Sequence, residues 1–240
     1  MSLNRSSLLL LVAVSLLVTS VIANAQSTDR AKLLNQIEEL RNHIKQKEAL
    51  LLAVSDQDKA AYSEFLSQRD TGICRLMPRE TYDGTLLIRG GGAYYSFTHP
   101  SSEFGSDSQI GLERGQFATG LIGANYGYIT DLGDVPIDGI TIEYPAAKDL
   151  AGLVTPSVEP DVRVEQRRSG EGLKLGSHVY KSRSGASAEH TYVLRCVSYD
   201  RSDTLLALRV VRQDDDGSLI LIWKILNRFA TPQLVRADNH

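Results

Sequence analysis

From Leu33 the apolar side chains recur at alternating intervals of four and three residues, Leu33, Ile37, Leu40 and Ile44, and Lys47, Leu51 and Val54 continue the same line. That spacing keeps one stripe along an α-helix and is the seam of a coiled coil. No Gly or Pro interrupts residues 26–71, Ser27 or Thr28 can cap the start, and Asp29 suits the positive end of the helix dipole. The pattern therefore predicts a helical segment over residues 26–72, able to self-associate through Leu33, Ile37, Leu40, Ile44 and Leu51. Lys47 and Asp58 fall on the seam and weaken it, so docking on the chain's own β domain is the competing use of this face. Ser55-Asp56 can cap a second helix, which would divide the segment in two.

Upstream, an apolar run from Leu8 to Ala23 follows Arg5 and ends in the small-x-small triplet Ala23-Asn24-Ala25. This is the form of a secretory signal peptide over residues 1–25, and the run is short of the roughly 20 residues that a spanning helix needs. Cleavage after Ala25 is expected, giving an exported, periplasmic or extracellular product without a membrane span.

Beyond Gly72 the period changes from helical to alternating. Short runs rich in Val, Ile, Leu and Tyr are separated by Gly, Asp and Ser clusters, as in antiparallel sheet. Candidate strands are Thr85–Arg89, Ala93–Thr98, Gln109–Glu113, Gln116–Ala124, Tyr126–Thr130, Gly139–Tyr144 and Val162–Gln166. The region from Pro145 to Pro160 reads as a connection or as a short helix over Ala146–Leu153. The best-defined unit is late: Thr191–Tyr199, Thr204–Arg212 and Ser218–Leu226 form a three-stranded meander. Pairing parity puts Leu206, Leu208 and Val210 on one face with Leu221, Trp223 and Ile225. The opposite face carries Leu205, Val211, Ile220 and Ile222 and is too apolar to lie in water, so it too must be covered. The fold class is mainly β: an antiparallel β-sandwich or open barrel over residues 81–228, ending in the C-terminal meander and preceded by the long amphipathic helix. Residues 73–80 read as a linker and 229–240 as a tail.

Removing the leader takes away one arginine and no acid, leaving 25 basic against 29 acidic residues, a net of −4. No basic block stands out, which argues against nucleic acid as a partner. Cys74 and Cys196 are the only cysteines, and in an exported chain such a pair predicts a disulfide.

Signals for chemistry are sparse. Gly90-Gly91-Gly92 lacks the Lys-Ser/Thr of a phosphate loop and precedes a strand, so it reads as a tight turn or bulge. His99, His178 and His190 are the side chains to inspect for acid or base work, but their spacing recommends no metal site, and no cofactor is implied. Ser187 sits in Gly185-Ala186-Ser187-Ala188, which lacks the second Gly of a nucleophile elbow. The aspartates at 131, 134 and 138 and at 214–216 suit turns rather than the twelve-residue calcium loop. Tyr94, Tyr95, Tyr126, Tyr128 and Tyr144 suit either core packing or an aromatic platform. Together these features point to a non-enzymatic binding or structural module of the cell envelope, spaced or oligomerised by its helix. The alternatives are a secreted hydrolase with its residues dispersed among loops, and an aromatic-platform carbohydrate-binding module.

Overall fold

The computed structural model of the chain describes residues 29–235 in full and follows the first helix as backbone from Arg5. The expected leader (residues 1–25) and the end of the expected tail (236–240) lie outside the fully described residues. Among the described residues the chain is mostly sheet: eleven strands in three antiparallel sheets, with an N-terminal helix, and these strands close no barrel. It divides into two compact units, Met1–Lys47 and Glu48–His240. Among the described residues no helix is long and apolar enough to cross a membrane.

Helix α1 (Arg5–Leu52) carries the heptad stripe, and Leu33, Ile37, Leu40 and Ile44 are all exposed along it. Its last turn belongs to the second unit. There Glu48 is buried, and its carboxylate accepts the backbone N–H groups of Leu87 and Ile88. The helix stops where Ser55 caps α2 (Asp56–Ala61), its hydroxyl accepting the Asp58 N–H at 3.0 Å. The second cap expected at Ser55-Asp56 is thus present. Asp58, the acid that broke the seam, is buried against Arg212, with contacts of 2.5 and 3.0 Å. Helix α3 (Ser63–Leu66) then delivers Phe65 to the core.

The principal sheet has the order β1-β11-β10-β9-β5, with β1 Thr71–Leu76, β5 Tyr126–Asp131, β9 Thr191–Ser198, β10 Ser202–Gln213 and β11 Leu219–Phe229. Its centre is the expected meander. Leu208 pairs with Trp223 and Val210 with Leu221, so the face foreseen as core is core. A second sheet of order β2-β3-β4-β8 adds Tyr95, Ile110, Leu112 and Phe117 to the same cluster. Its strands are β2 Tyr94–Tyr95, β3 Ile110–Glu113, β4 Gln116–Ala118 and β8 Arg183–Gly185. Gly72 lies opposite Trp223, and a Cβ there would stand 2.3 Å from the indole ring. The ring needs that missing side chain.

The meander's other face is covered by helices. Ile137 and Ile140 come from a 3₁₀ turn (Ile137–Gly139) and its cap, Ala146, Ala147 and Leu150 from α5 (Pro145–Ala151), and Val162 from α6 (Glu159–Glu171). Arg195 lies on this face within a fully buried strand. All five of its N–H groups are used: Nε and Nη2 donate to the Asp203 carboxylate, Nη1 to the carbonyls of Leu150 and Leu153, and Nη2 also to Thr155. The guanidinium therefore ties the sheet to the carbonyl end of α5. The remaining sheet is the two-stranded β6-β7 (Leu173–Leu175 and His178–Tyr180).

Four expectations are corrected. Thr85–Arg89 is not a strand but a turn-rich loop held by Glu48. Gly139–Tyr144 is a 3₁₀ end and turns, because Ile137 and Ile140 reach the core at a helical interval of three. Val162–Gln166 lies in α6: Pro160 in its first turn and Gly172, at φ 109°, just past its end frame a helix whose buried positions are Val162 and Ser169. Cys74 and Cys196 are buried free thiols rather than a disulfide. They sit on β1 and β9, with β11 and β10 between them. Three strand spacings amount to about 14 Å, beyond the roughly 7 Å that a disulfide spans. Burial raises both thiol pKa values, and the Cys196 thiol donates to the Gln109 carbonyl at 3.3 Å. Residues 73–80, read as a linker, carry the end of β1 and the start of α4 (Arg79–Tyr82).

Candidate functional site

Alternation along the second sheet fixes what its outer surface presents. Leu112 and Phe117 face the core, so Glu113 and Gln116, paired with each other, face outward, and the row Tyr94–Gly111–Ala118–Arg183 shares that side. The two-residue turn joining β3 to β4 is Arg114-Gly115, both at positive φ (52° and 69°), as a primed hairpin turn requires. Helix α4 flanks this surface, and Glu80 accepts the Arg114 N–H at 3.0 Å. The result is a cavity of about 650 Å³ lined by α4, the β3–β4 turn, Glu113, Gln116 and Arg183. A neighbouring cavity of about 320 Å³ shares Arg79, Asp83 and Glu113 and reaches Tyr94 and Phe104.

Glu113 is the hub. One carboxylate oxygen accepts from Arg79 at 3.1 Å and from the Tyr94 hydroxyl at 2.9 Å, and the other accepts from Arg183 at 2.9 Å. Burial by itself would raise the Glu113 pKa, but the hydrogen bonds from Arg183 and Tyr94 outweigh it and hold the carboxyl below the usual glutamate value. Arg79 also donates from Nε to Asp83 at 3.1 Å, and its guanidinium lies 6.0 Å from the centroid of the Tyr94 ring. Gly111 makes room for that ring, since a Cβ there would come within 2.8 Å of it. The carboxylate is thus held in one position by three donors.

The three histidines do not assemble. His99 is exposed in a loop, where its backbone N–H donates to Ser96. His178, on β7, stands 4.0 Å from the Asp149 carboxylate, which also accepts the Tyr180 hydroxyl at 2.8 Å. His190 pairs through Nδ1 with Asp131 at 2.9 Å. Asp131 and His178 line one open depression of about 450 Å³ together with Ser177, Lys181 and Arg183, so Arg183 lies on both surfaces. The Ser177 hydroxyl is 3.4 Å from Nδ1 of His178, longer than a nucleophile–base hydrogen bond. Ser187 offers its backbone N–H to Tyr192 rather than its hydroxyl to an imidazole. These histidines are half-exposed or exposed.

Among the described residues, no group of three or more His, Cys, Asp or Glu is placed to hold a metal ion. The aspartates of the two acidic runs act in turns and ion pairs: Asp134 with Arg209, Asp214 with Arg75 and Arg212, Asp216 with the Ser218 N–H and the Tyr82 hydroxyl. Tyr94, Tyr95, Tyr126 and Tyr128 are buried, and Tyr144 packs at the edge of the helix-side core, so their rings serve packing.

Sequence reading missed the Glu113 surface. Alternation over Gln109–Glu113 did place Glu113 opposite Ile110 and Leu112 in facing, and that was the available signal. The pairing of β4 with β8, which brings Arg183 to Glu113 from 70 residues away, left no mark in the sequence. No protein-family model, no curated protein and no solved structure matches the chain.

Proposed function

We propose that the chain is an exported, non-enzymatic binding or structural module of the cell envelope, whose helix self-associates and whose two larger sheets pack as an antiparallel β-sandwich. The observation that carries this reading is the uncovered stripe of the first unit: Leu33, Ile37, Leu40 and Ile44 are 58, 44, 62 and 43% exposed. Ile at one seam position alternating with Leu at the other is the choice that favours two strands in a coiled coil. The core cluster shared by the two sheets supports the sandwich, and the leader-like pattern of residues 1–25 supports export. A hydrolase built on the Asp131–His190 pair would lack, among the described residues, an attacking hydroxyl or thiol within hydrogen-bond reach.

The test is sedimentation equilibrium of the chain from Gln26 onward, against the double variant I37E/L40E. Both side chains are exposed, so the substitutions leave the β core intact. An oligomer is expected for the native chain and a monomer for the variant, with the same thermal unfolding of the β unit. A native chain that sediments as a monomer overturns the self-association.

A further inference from the structure

We propose that the outer face of the β2-β3-β4-β8 sheet is a binding site for a neutral, polyhydroxylated ligand, namely a segment of an oligosaccharide. This rests on the binding-module reading above and names its ligand class.

Charge selects the class. The larger cavity is lined by three arginines, Arg79, Arg114 and Arg183, and three carboxylates, Glu80, Asp83 and Glu113. The signs are interleaved: Glu113 lies between Arg79 and Arg183, Asp83 lies against Arg79, and Glu80 holds the backbone of Arg114. An anion entering the groove meets three carboxylates and a cation meets three guanidinium groups, so neither gains a net attraction. A hydroxyl both donates and accepts, and it can use either neighbour.

Unused hydrogen-bonding capacity points the same way. Among the described residues Arg183 makes one side-chain hydrogen bond, from Nη2 to Glu113, so further N–H donors are available. Among the described residues the Arg114 guanidinium and the Gln116 amide make no side-chain hydrogen bond, and both residues are exposed. Guanidinium, carboxylate and carboxamide are planar forks that can meet two adjacent hydroxyls of a sugar ring at once. The cavity of about 650 Å³, continued by one of about 320 Å³ along the same wall, has room for more than one ring. Tyr94 is 3% exposed, so recognition here runs through hydrogen bonds and not through ring stacking. The Glu113 carboxylate, already locked by three donors, loses little freedom when a ligand arrives.

The experiment is calorimetric titration of the full chain with two neutral sugars, hexa-N-acetylchitohexaose and maltohexaose, and with anionic hexagalacturonate, at low and high salt. The variants are Arg114→Ala and Gln116→Ala, both at exposed positions of the turn. We expect at least one neutral hexasaccharide to bind, its affinity to be insensitive to salt, and each substitution to weaken it about tenfold with thermal unfolding unchanged. No binding of either neutral sugar overturns the proposal, as does neutral-sugar binding that both variants retain in full. Binding of hexagalacturonate alone, abolished by salt, overturns it in favour of a simple anion patch. Chromatography of the titrated sugar keeps the two readings apart. A sugar that binds and is shortened upholds the groove and overturns the non-enzymatic reading, whereas an intact, unbound sugar overturns the groove and leaves the self-association of the helix standing on its own test.

Discussion

The two faces of the principal sheet are buried to a similar degree and by different chemistry. Towards the second sheet the cover is mainly apolar: Leu76, Leu194, Leu206, Leu208, Val210, Leu221 and Trp223 meet Tyr95, Phe97, Ile110, Leu112 and Phe117, while the Tyr192 hydroxyl and the Cys196 thiol donate to the carbonyls of Gly185 and Gln109. Towards the helices, polar groups reach into the core. Arg195 bonds the carbonyls of Leu150 and Leu153, Tyr199 the carbonyl of Pro156, Tyr180 the carbonyl of Ala146 and the Asp149 carboxylate, and Tyr128 the Glu165 carboxylate. The difference follows from the backbone of each cover. Strands satisfy one another's N–H and C=O groups in the ladder, so a sheet can be sealed by aliphatic and aromatic side chains alone. Short helices and their connections leave carbonyls without intrahelical partners, and a face that they cover must supply donors.

The sharpest way to break that contrast is to remove the donor set on the helix side. Arg195 and Asp203 are 5 and 2% exposed at the side chain, so truncating one leaves the other charged and buried. Asp203→Ala and Arg195→Met are each expected to cost about 3–5 kcal/mol, read as a fall in the denaturant midpoint. The double variant R195M/D203L should cost less than the sum of the two single changes, because no orphan charge remains, although the carbonyls of Leu150 and Leu153 still lose their donors. A single substitution costing under about 1 kcal/mol would show that this face does not depend on the pair.

On the apolar side the equivalent test adds a single carbon. Gly72→Ala places a methyl 2.3 Å from the Trp223 ring, and Phe97 and Tyr95 already pack against that ring, at 5.4 and 6.2 Å between centroids. The expected loss is about 1–3 kcal/mol through overpacking, accompanied by a change in tryptophan fluorescence, which has Trp223 as its only source. Unchanged stability together with unchanged emission would mean that the interface between the sheets is looser than its composition implies.

This contrast was half legible in the sequence. Period-two alternation in Thr204–Arg212 and Ser218–Leu226 identified the apolar face residue by residue, and the excess of apolar residues on the opposite face announced a second cover. What the cover would be was not legible. Val162 and Val164, two residues apart, mimic a strand, while the signals that win are Pro160 at the start and Gly172 at the end of α6. The disulfide expectation failed because cysteine count carries no strand order, and β1 lies three strands from β9. Arg195 stood in plain view as a charge within an apolar strand, but its partners come from Leu150, Leu153 and Thr155 and are set by tertiary packing. The Glu113 surface was hidden for the same reason, with Arg79 and Arg183 arriving from segments 34 and 70 residues away.

Glu113 also supplies the smallest and most discriminating test, because it carries the same guanidinium–carboxylate chemistry as the Arg195–Asp203 pair in a wetter setting. Its partners Arg79 and Arg183 are 47 and 53% exposed at the side chain, so water and salt screen the attraction, and Glu113→Gln is expected to cost no more than about 1 kcal/mol at neutral pH. The pH dependence gives the sign. Arg183 and Tyr94 hold the folded-state pKa below the ordinary glutamate value of 4.5 despite burial. Between the two values the unfolded chain binds the proton more readily than the folded one, so the contribution is complete above pH 4.5 and disappears as the pH falls through the lower, folded value. Thermal unfolding of the native chain and of the Glu113→Gln variant should therefore differ slightly at neutral pH and converge in acid, with the gap narrowing further in high salt. A gap that persists below the folded value, or one as large as that of Asp203→Ala, would place Glu113 with the sealed interior charges rather than on an open, ligand-accessible surface.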